Sequence, residues 1–499
     1  MSGVLGVVSY GLGTIVGFIV IGVLIFWFIQ DVTQKKHAVL RNYPVIGRLR
    51  YFFEKQGEYF RQYFFMNDRE ELPFNRSARS WVYRLAKAEG GIIGFGSTNN
   101  TDEPGSILFV NAPYPVLEED RLPTPALTIG QGYARLPFEA KSIVNISGMS
   151  FGAISEPAVR ALSRGAAIAG CWMDTGEGGL SPYHAEGGCD IIMQIGTAKY
   201  GIRDRDGNFS PERAKQLAQH VKAFEIKLSQ GAKPGKGGVL PAAKVTEEIA
   251  AIRGIPAGQD SISPNRHRDI ANVDELLDKV AYIRELTARP VGVKTAIGGR
   301  RFINELCEAV QRRGLEYAPD FLAVDGGEGG SGAAPQALMD HMSLPIAEAL
   351  PRVVDALIES GLRERVRVIA AGKLITSARA AWALCVGADF INTARGFMFS
   401  LGCIQALRCH QNTCPTGVAT HDRHLQRGLV AEEKCLRVAQ YATGMNAEID
   451  MIAHSCGCRH ARELRREHVR IMQSAGQSAA LNILYPYPET AFKRRAASI

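Results

Sequence analysis

The stretch "VRVIAAGKLITSARAAWALCVGADFINTARG", Val366 to Gly396, holds two short apolar runs, each closing on a glycine beside a cation, with a helix-like segment between them. Short β-rich runs separated by helical patterns are the rhythm of a parallel sheet, because parallel neighbours need a crossover helix to bring the chain back. Six runs upstream repeat the theme: "SIVNISG" (142–148), "CWMDTGEGG" (171–179), "DIIMQIG" (190–196), "AFEIKLSQGAKPG" (223–235), "PVGVKTA" (290–296) and "FLAVDGGEGGSG" (321–332). Eight such units in about 250 residues match a (β/α)8 barrel, the fold expected here. An open doubly wound sheet also uses parallel strands, but it gives no reason for so many glycine-rich strand ends.

In a barrel the chemistry collects at the carboxyl ends of the strands, and the last two units are the usual phosphate grip. "AAGK" (370–373) and "TARG" (393–396) suit that grip, since glycine lets backbone amides approach a phosphate or a flat ring closely. Lys294 closes an otherwise apolar strand and is expected to point into the mouth, where a buried ammonium needs an anionic partner. The ring nitrogen and carbonyl of a reduced flavin would supply one.

The rest of the composition narrows the class. With 499 residues, 46% of them hydrophobic, the chain can bury a large core, and ten cysteines over that length do not make a disulfide-built secreted scaffold. A net charge of +8 is mild at this size, and no Lys/Arg stripe interleaved with aromatics appears, so nucleic acid is not an expected partner. Ser2 to Gln30 carries no charged residue and is long enough to cross a bilayer as one uncleaved helix. Lys35, Lys36, Arg41, Arg48 and Arg50 follow it, which places the body on the cytoplasmic side of the cell membrane, single-pass. The aromatic residues around them, Tyr51 to Phe65, suit either the anionic inner leaflet or an ordinary amphipathic packing helix.

Three cysteines fall close together in "LGCIQALRCHQNTCPTGVAT" (401–420), spaced C-x5-C-x4-C: Cys403, Cys409 and Cys414. Structural zinc, a redox pair with a spare thiol and an iron-sulfur site are all open; the odd count and the proline after the third favour the last. A second group, "HSCGCRH" (454–460), is a weaker metal candidate, because C-x-C rarely closes on one ion and the adjoining "ARELRREH" reads as an exposed helix. The basic tail "YPYPETAFKRRAASI" reads as a surface strap or loose end.

"ISGMSFGAIS" (146–155), "TGEGG" (175–179), "QGAKPGKGGVLPAAKV" (230–245), "ISPNRHRDI" (262–270), "DGGEGGSGAAP" (325–335) and the three-cysteine segment resemble, in that order, the FMN and iron-sulfur synthase domain of glutamate synthase. The likeness covers about residues 75 to 465 and is closest to the short, membrane-anchored forms of that family. It implies FMN against Ser147, Gly148 and Met149, with Gln230 and Lys294 at the pyrimidine edge and Gly326, Gly327, Gly372, Arg395 and Gly396 around the phosphate. It implies 2-oxoglutarate at Glu177, Lys233 and Arg253, with Lys294 and Glu177 as the catalytic pair, and a 3Fe-4S cluster on Cys403, Cys409 and Cys414.

The implied reaction condenses ammonia with 2-oxoglutarate and reduces the imine to glutamate, with electrons from a ferredoxin or a reductase subunit. A separate amidotransferase subunit would supply ammonia from glutamine, since the family's glutaminase domain has no counterpart here. Lys236 stands where the family has an acidic residue and Val239 where it has glutamine, and "TAIGGRR" after Lys294 is shorter. These departures admit an alkylamine in place of ammonia, an N-alkylglutamate synthase-type subunit, or a membrane-tethered electron-transfer subunit that makes no glutamate. The expected organisation is an anchor (1–30), a juxtamembrane extension (31–135), the FMN barrel (136–400), an iron-sulfur segment with C-terminal helices (401–465) and a tail (466–499).

Overall fold

A computed structural model describes residues 2–489, so most of the basic tail lies outside the described residues. The chain divides into two compact units, one through Arg79 and one from Ser80 on.

The larger unit is built on eight parallel strands that close into a barrel: β1 (Val144–Ile146), β2 (Met173–Asp174), β3 (Ile191–Ile195), β4 (Ala223–Lys227), β5 (Val291–Ala296), β6 (Phe321–Asp325), β7 (Arg367–Ala371) and β8 (Phe390–Thr393). Each strand pairs with its neighbours in sequence, and β8 closes on β1 through Ile391 opposite Val144. All eight runs read from the sequence are the barrel strands, but several stop early. The segment 171–179 keeps only two residues in the sheet and 321–332 only five. The glycines that follow have no side chain to pack on the pleat, so they leave the ladder and form the mouth.

At the opposite end the barrel is plugged. A hairpin of Leu127–Ile129 and Phe138–Ala140 precedes β1 and packs Ile129, Phe138 and Ala140 against Trp172, Ala223, Phe321 and Phe390 at the strand starts. Space for Phe321 comes from β5: a Cβ at Gly292 would lie 2.3 Å from that ring. With the bottom sealed by apolar groups, ligands have access only at the mouth.

The outer helices carry ordinary start and stop signals. Glu156–Ala169 begins at Ser155, whose hydroxyl accepts from Ala158 N at 3.3 Å, and ends at Gly170 with φ 67°. Its Gly165 admits the long helix Ala431–Ser455, since a Cβ there would sit 2.5 Å from Val438. The segment "ARELRREH" is not an exposed helix. It forms two 3-10 turns, Ala461–Glu463 and Arg466–His468, and Arg466 is fully buried, with its guanidinium on Asp355 at 2.5 Å and on the carbonyl of Tyr485 at 2.8 Å. A guanidinium with five donors can satisfy a buried corner that no apolar residue could.

The smaller unit starts with one helix, Ser2–Thr33, of which Gly11–Thr33 is long and apolar enough to cross a membrane. From Gly11 on its side chains are exposed, Phe18 at 73%, except for the buried Asp31. Asp31 near its end is paired with Arg48 at 2.6 Å and accepts from Val45 N at 2.9 Å, which folds the chain back into the helix Gly47–Phe60. That helix buries only Gly47, and Phe52, Phe53, Phe64 and Phe65 stay exposed.

Candidate active site at the barrel mouth

A cavity lies at the carboxyl ends of the strands, lined by Ser147 and Gly148 after β1, Lys227 and Gln230 at and after the end of β4, Lys294 on β5, Gly372 and Lys373 after β7 and Arg395 after β8. It is therefore where the fold class requires a site, and six of the ten residues expected to hold the cofactor meet there: Ser147, Gly148, Gln230, Lys294, Gly372 and Arg395.

Lys294 sits on the cavity lining, 7% exposed, and its ammonium makes no hydrogen bond or ion pair with any described residue. Burial alone would strip its proton, but the carboxyl groups of Glu225, Asp325, Asp174 and Glu177 outweigh that and hold its pKa above the ordinary lysine value. A charged ammonium with its donors unspent is thus held at the bottom of a cleft. Asn392 on β8, also on the lining, has a buried side-chain oxygen with no partner. On the far side stand Lys373 and Arg395. Burial lowers the pKa of both, that of Arg395 to about 10, and Arg395 lowers Lys373 further. Two cations that repel each other across a pocket favour an anion between them.

Met149, Gly326, Gly327 and Gly396 do not line this cavity. The amides of Gly326 and Gly327 are already given to the carbonyls of Ala371 and Leu344, both at 2.8 Å, and the place of a Cβ on Gly396 is filled by the Tyr441 hydroxyl at 2.1 Å. These glycines serve close backbone packing. Gly231 is the clearest case, because its Cβ would lie 1.8 Å from the Gly326 carbonyl oxygen.

The second group of expected residues gathers beside the cavity. Glu177 accepts an ion pair from Lys227 at 3.3 Å, and Gly238 and Gly196 pack against its carboxyl group. Burial pushes the Glu177 pKa up, yet Lys227, Lys233 and Arg253 more than reverse this and keep it below the usual range. Lys233 donates to the carbonyl of Ala333 at 3.2 Å. Arg253 reaches Ser261 at 3.3 Å and Ser150 at 3.4 Å, lies over the Tyr200 ring, and keeps a buried Nε without a partner. Gln230 accepts from Lys227 at 2.6 Å. Lys227 is the residue that reading the sequence missed. The alternation in "AFEIK" was the available signal, since a strand with Glu225 and Lys227 two apart sends both charges to the same side.

The three cysteines lie on the loop after the helix Arg395–Leu401, and no disulfide links any of the ten cysteines. Cys409 and Cys414 are neighbours: each influences Lys244, whose pKa burial lowers to about 8 and the two sulfurs pull back up. Among the described residues no three His, Cys, Asp or Glu side chains are grouped so as to hold a single metal ion.

Fold and cavity define a (β/α)8 protein with a site rich in cationic side chains at its open end. Residues 117–459 match the family model described as the conserved region in glutamate synthase, and the chain belongs to that family. It is 41% identical to the glutamate synthase large subunit-like protein YerD of Bacillus subtilis, over 91% of this chain and 94% of that one. An archaeal-type NADPH glutamate synthase of Thermotoga maritima is 34% identical over 64% of this chain, which spans 61% of that enzyme's length. Among solved structures, a flavocytochrome b2 variant with sulfite bound aligns with a TM-score of 0.44 at 14% identity, covering 85% of this chain and 86% of that one.

Proposed function

We infer that the protein is a glutamate synthase-type oxidoreductase that binds FMN in the barrel mouth and reductively aminates 2-oxoglutarate to glutamate through 2-iminoglutarate. One observation carries the reading: the buried ammonium of Lys294, on the lining of a cavity that also holds Lys373 and Arg395, has no hydrogen-bond or ion-pair partner among the described residues. The unpartnered Asn392 oxygen fits the same group, as an acceptor for a ring N–H. Bound FMN would supply the hydride. Lys294 would stabilise negative charge at the pyrimidine edge together with Gln230, and Lys373 and Arg395 would hold the phosphate.

Lys233 and Arg253 suit the two carboxylates of the keto acid, since charge-assisted bonds to buried cations fix a dicarboxylate in one orientation. Glu177, kept ionised by its basic neighbours, is suited to hold a cationic amine or accept a proton from it, not to act as an acid. Cys403, Cys409 and Cys414 would hold a 3Fe-4S cluster that passes single electrons from a ferredoxin or reductase partner; the motif supports this. The apolar N-terminal helix supports a single-pass anchor with the barrel in the cytoplasm.

A second reading concerns the nitrogen source. Val239, in the segment whose Gly238 packs against the Glu177 carboxylate, is apolar where the family has glutamine. That favours an alkylamine. Anaerobic, dithionite-reduced protein is expected to be reoxidised by 2-oxoglutarate with ammonium or with methylamine, and the faster of the two identifies the substrate. Reoxidation by neither refutes the amination reading and leaves an electron-transfer subunit. Cys409→Ser is expected to lose iron, and full iron retention would remove the cluster.

A further inference from the structure

Behind the cavity lining, three buried side chains form a cluster that the reaction above does not use: Asp174 at the end of β2, Glu225 on β4 and, between them, Gln194 on β3, which itself lines the cavity; each is no more than 2% exposed. The Gln194 amide donates to Glu225 Oε1 at 2.7 Å and to Asp174 Oδ2 at 3.3 Å, and Gly176 N donates to Asp174 Oδ1 at 2.8 Å. With those three bonds the amide donors around the pair are spent, and Glu225 Oε2 is buried with no partner. Both carboxyl groups accept from the one Gln194 nitrogen, which holds two acceptors side by side, and two such groups can bond each other only if one carries a proton. A proton on Glu225 turns the orphaned oxygen into a donor and the neighbouring carboxylate into its acceptor, which resolves both problems at once.

The geometry points to Asp174 and Glu225 acting as one acid that shares a single proton, and to this sharing as the reason Lys294 keeps its charge directed upward to the ligand and not to a carboxylate below. The pair positions and tunes Lys294 and touches neither substrate nor cofactor. This rests on the cavity reading given above. The charged groups facing the pair are Lys294 from β5 and Lys227 from β4, and Lys294 is faced in turn by Asp325 from β6 and Glu177 from the loop after β2. Burial and the proximity of Asp174 raise Glu225 to about 8, and burial also raises Asp174, so one proton stays on the pair at neutral pH. Were both ionised, Lys294 would form an ion pair with the floor, and its donors would be lost to the cavity.

The test is infrared spectroscopy of the flavin-free protein across pH. A protonated carboxyl stretch, shifted by deuterium, is expected at neutral pH and is lost as pH rises through about 8. It is expected to vanish in Glu225→Gln, which keeps the shape, and in Asp174→Asn, where Glu225 ionises as the sole partner of Lys294. No such band at neutral pH, or a band that survives in both variants, overturns the proposal. In FMN-loaded protein, affinity for flavin is expected to fall several-fold through the same pH window in the wild type and to stay flat in Glu225→Gln; a wild-type affinity independent of pH, with the band titrating, overturns the coupling to Lys294. Because the infrared arm uses no flavin, a protein with the expected band that binds no FMN would refute the cofactor reading and leave the shared proton standing.

Discussion

Replacing Lys294 by methionine keeps the length and apolar stem of the side chain and removes one buried charge from the cavity floor. If the flavin's pyrimidine edge lies within contact distance of that ammonium, the lysine favours the reduced anion over the neutral oxidised ring. At about 4 Å a unit-charge interaction is worth about 1 kcal/mol in water and about 4 kcal/mol at the effective dielectric of a partly screened protein site. With about 30 mV corresponding to 1.4 kcal/mol for a two-electron couple, the midpoint of the bound flavin should fall by about 20 to 90 mV in Lys294→Met. The 7% exposure of Lys294 places the expected value in the upper half of that range. Four carboxyl groups around the site lose their counter-charge, yet the Asp174–Glu225 pair can take up a proton, so the variant should still fold. The assay is a spectroelectrochemical titration of FMN-loaded protein. An unchanged midpoint with FMN still bound would mean that the ammonium does not face the ring, and the assignment of this cavity to flavin would fall.

Gly231→Ala forces a Cβ to 1.8 Å from a backbone carbonyl that cannot move cheaply, so a loss of about 3 kcal/mol is expected in chemical denaturation, and a loss under about 0.5 kcal/mol would contradict the close packing described here. His184 is fully buried, its Nε2–H given to the Met149 carbonyl at 3.3 Å, and burial lowers its pKa to about 4. Between pH about 6.5 and about 4 the unfolded chain binds a proton that the folded one refuses, so stability should fall as pH falls through that window, by an amount on the order of 3 kcal/mol that His184→Gln removes. Deleting residues 1–30 is expected to yield a protein that no longer sediments with membranes; a truncated form that still floats with anionic vesicles would assign the attachment to the exposed aromatics of Gly47–Phe60 and the residues after it.

The local pattern of the chain was enough to place all eight barrel strands, since alternation of short β-rich runs with helical stretches is a property of consecutive residues. The glycine-rich strand ends and Lys294 marked the mouth for the same reason, and the barrel brings them together. What neighbouring residues could not tell was which glycines face a ligand and which face another backbone. Gly330 and Gly372 line the cavity, whereas Gly231, Gly326 and Gly396 are small because Gly326, Ile346 and Tyr441, distant in the chain, stand against them. Nor does a sequence reveal that Arg466, in a stretch dense with charge, is fully buried on Asp355, because that pairing exists only after 111 residues of chain have folded back. The shared acid below the cavity depends most of all on tertiary structure. Asp174 and Gln194 each sit in an apolar strand as a single polar interruption, Glu225 shares β4 with Lys227, and it is the closure of β2, β3 and β4 side by side that gathers two carboxyl groups around one amide nitrogen.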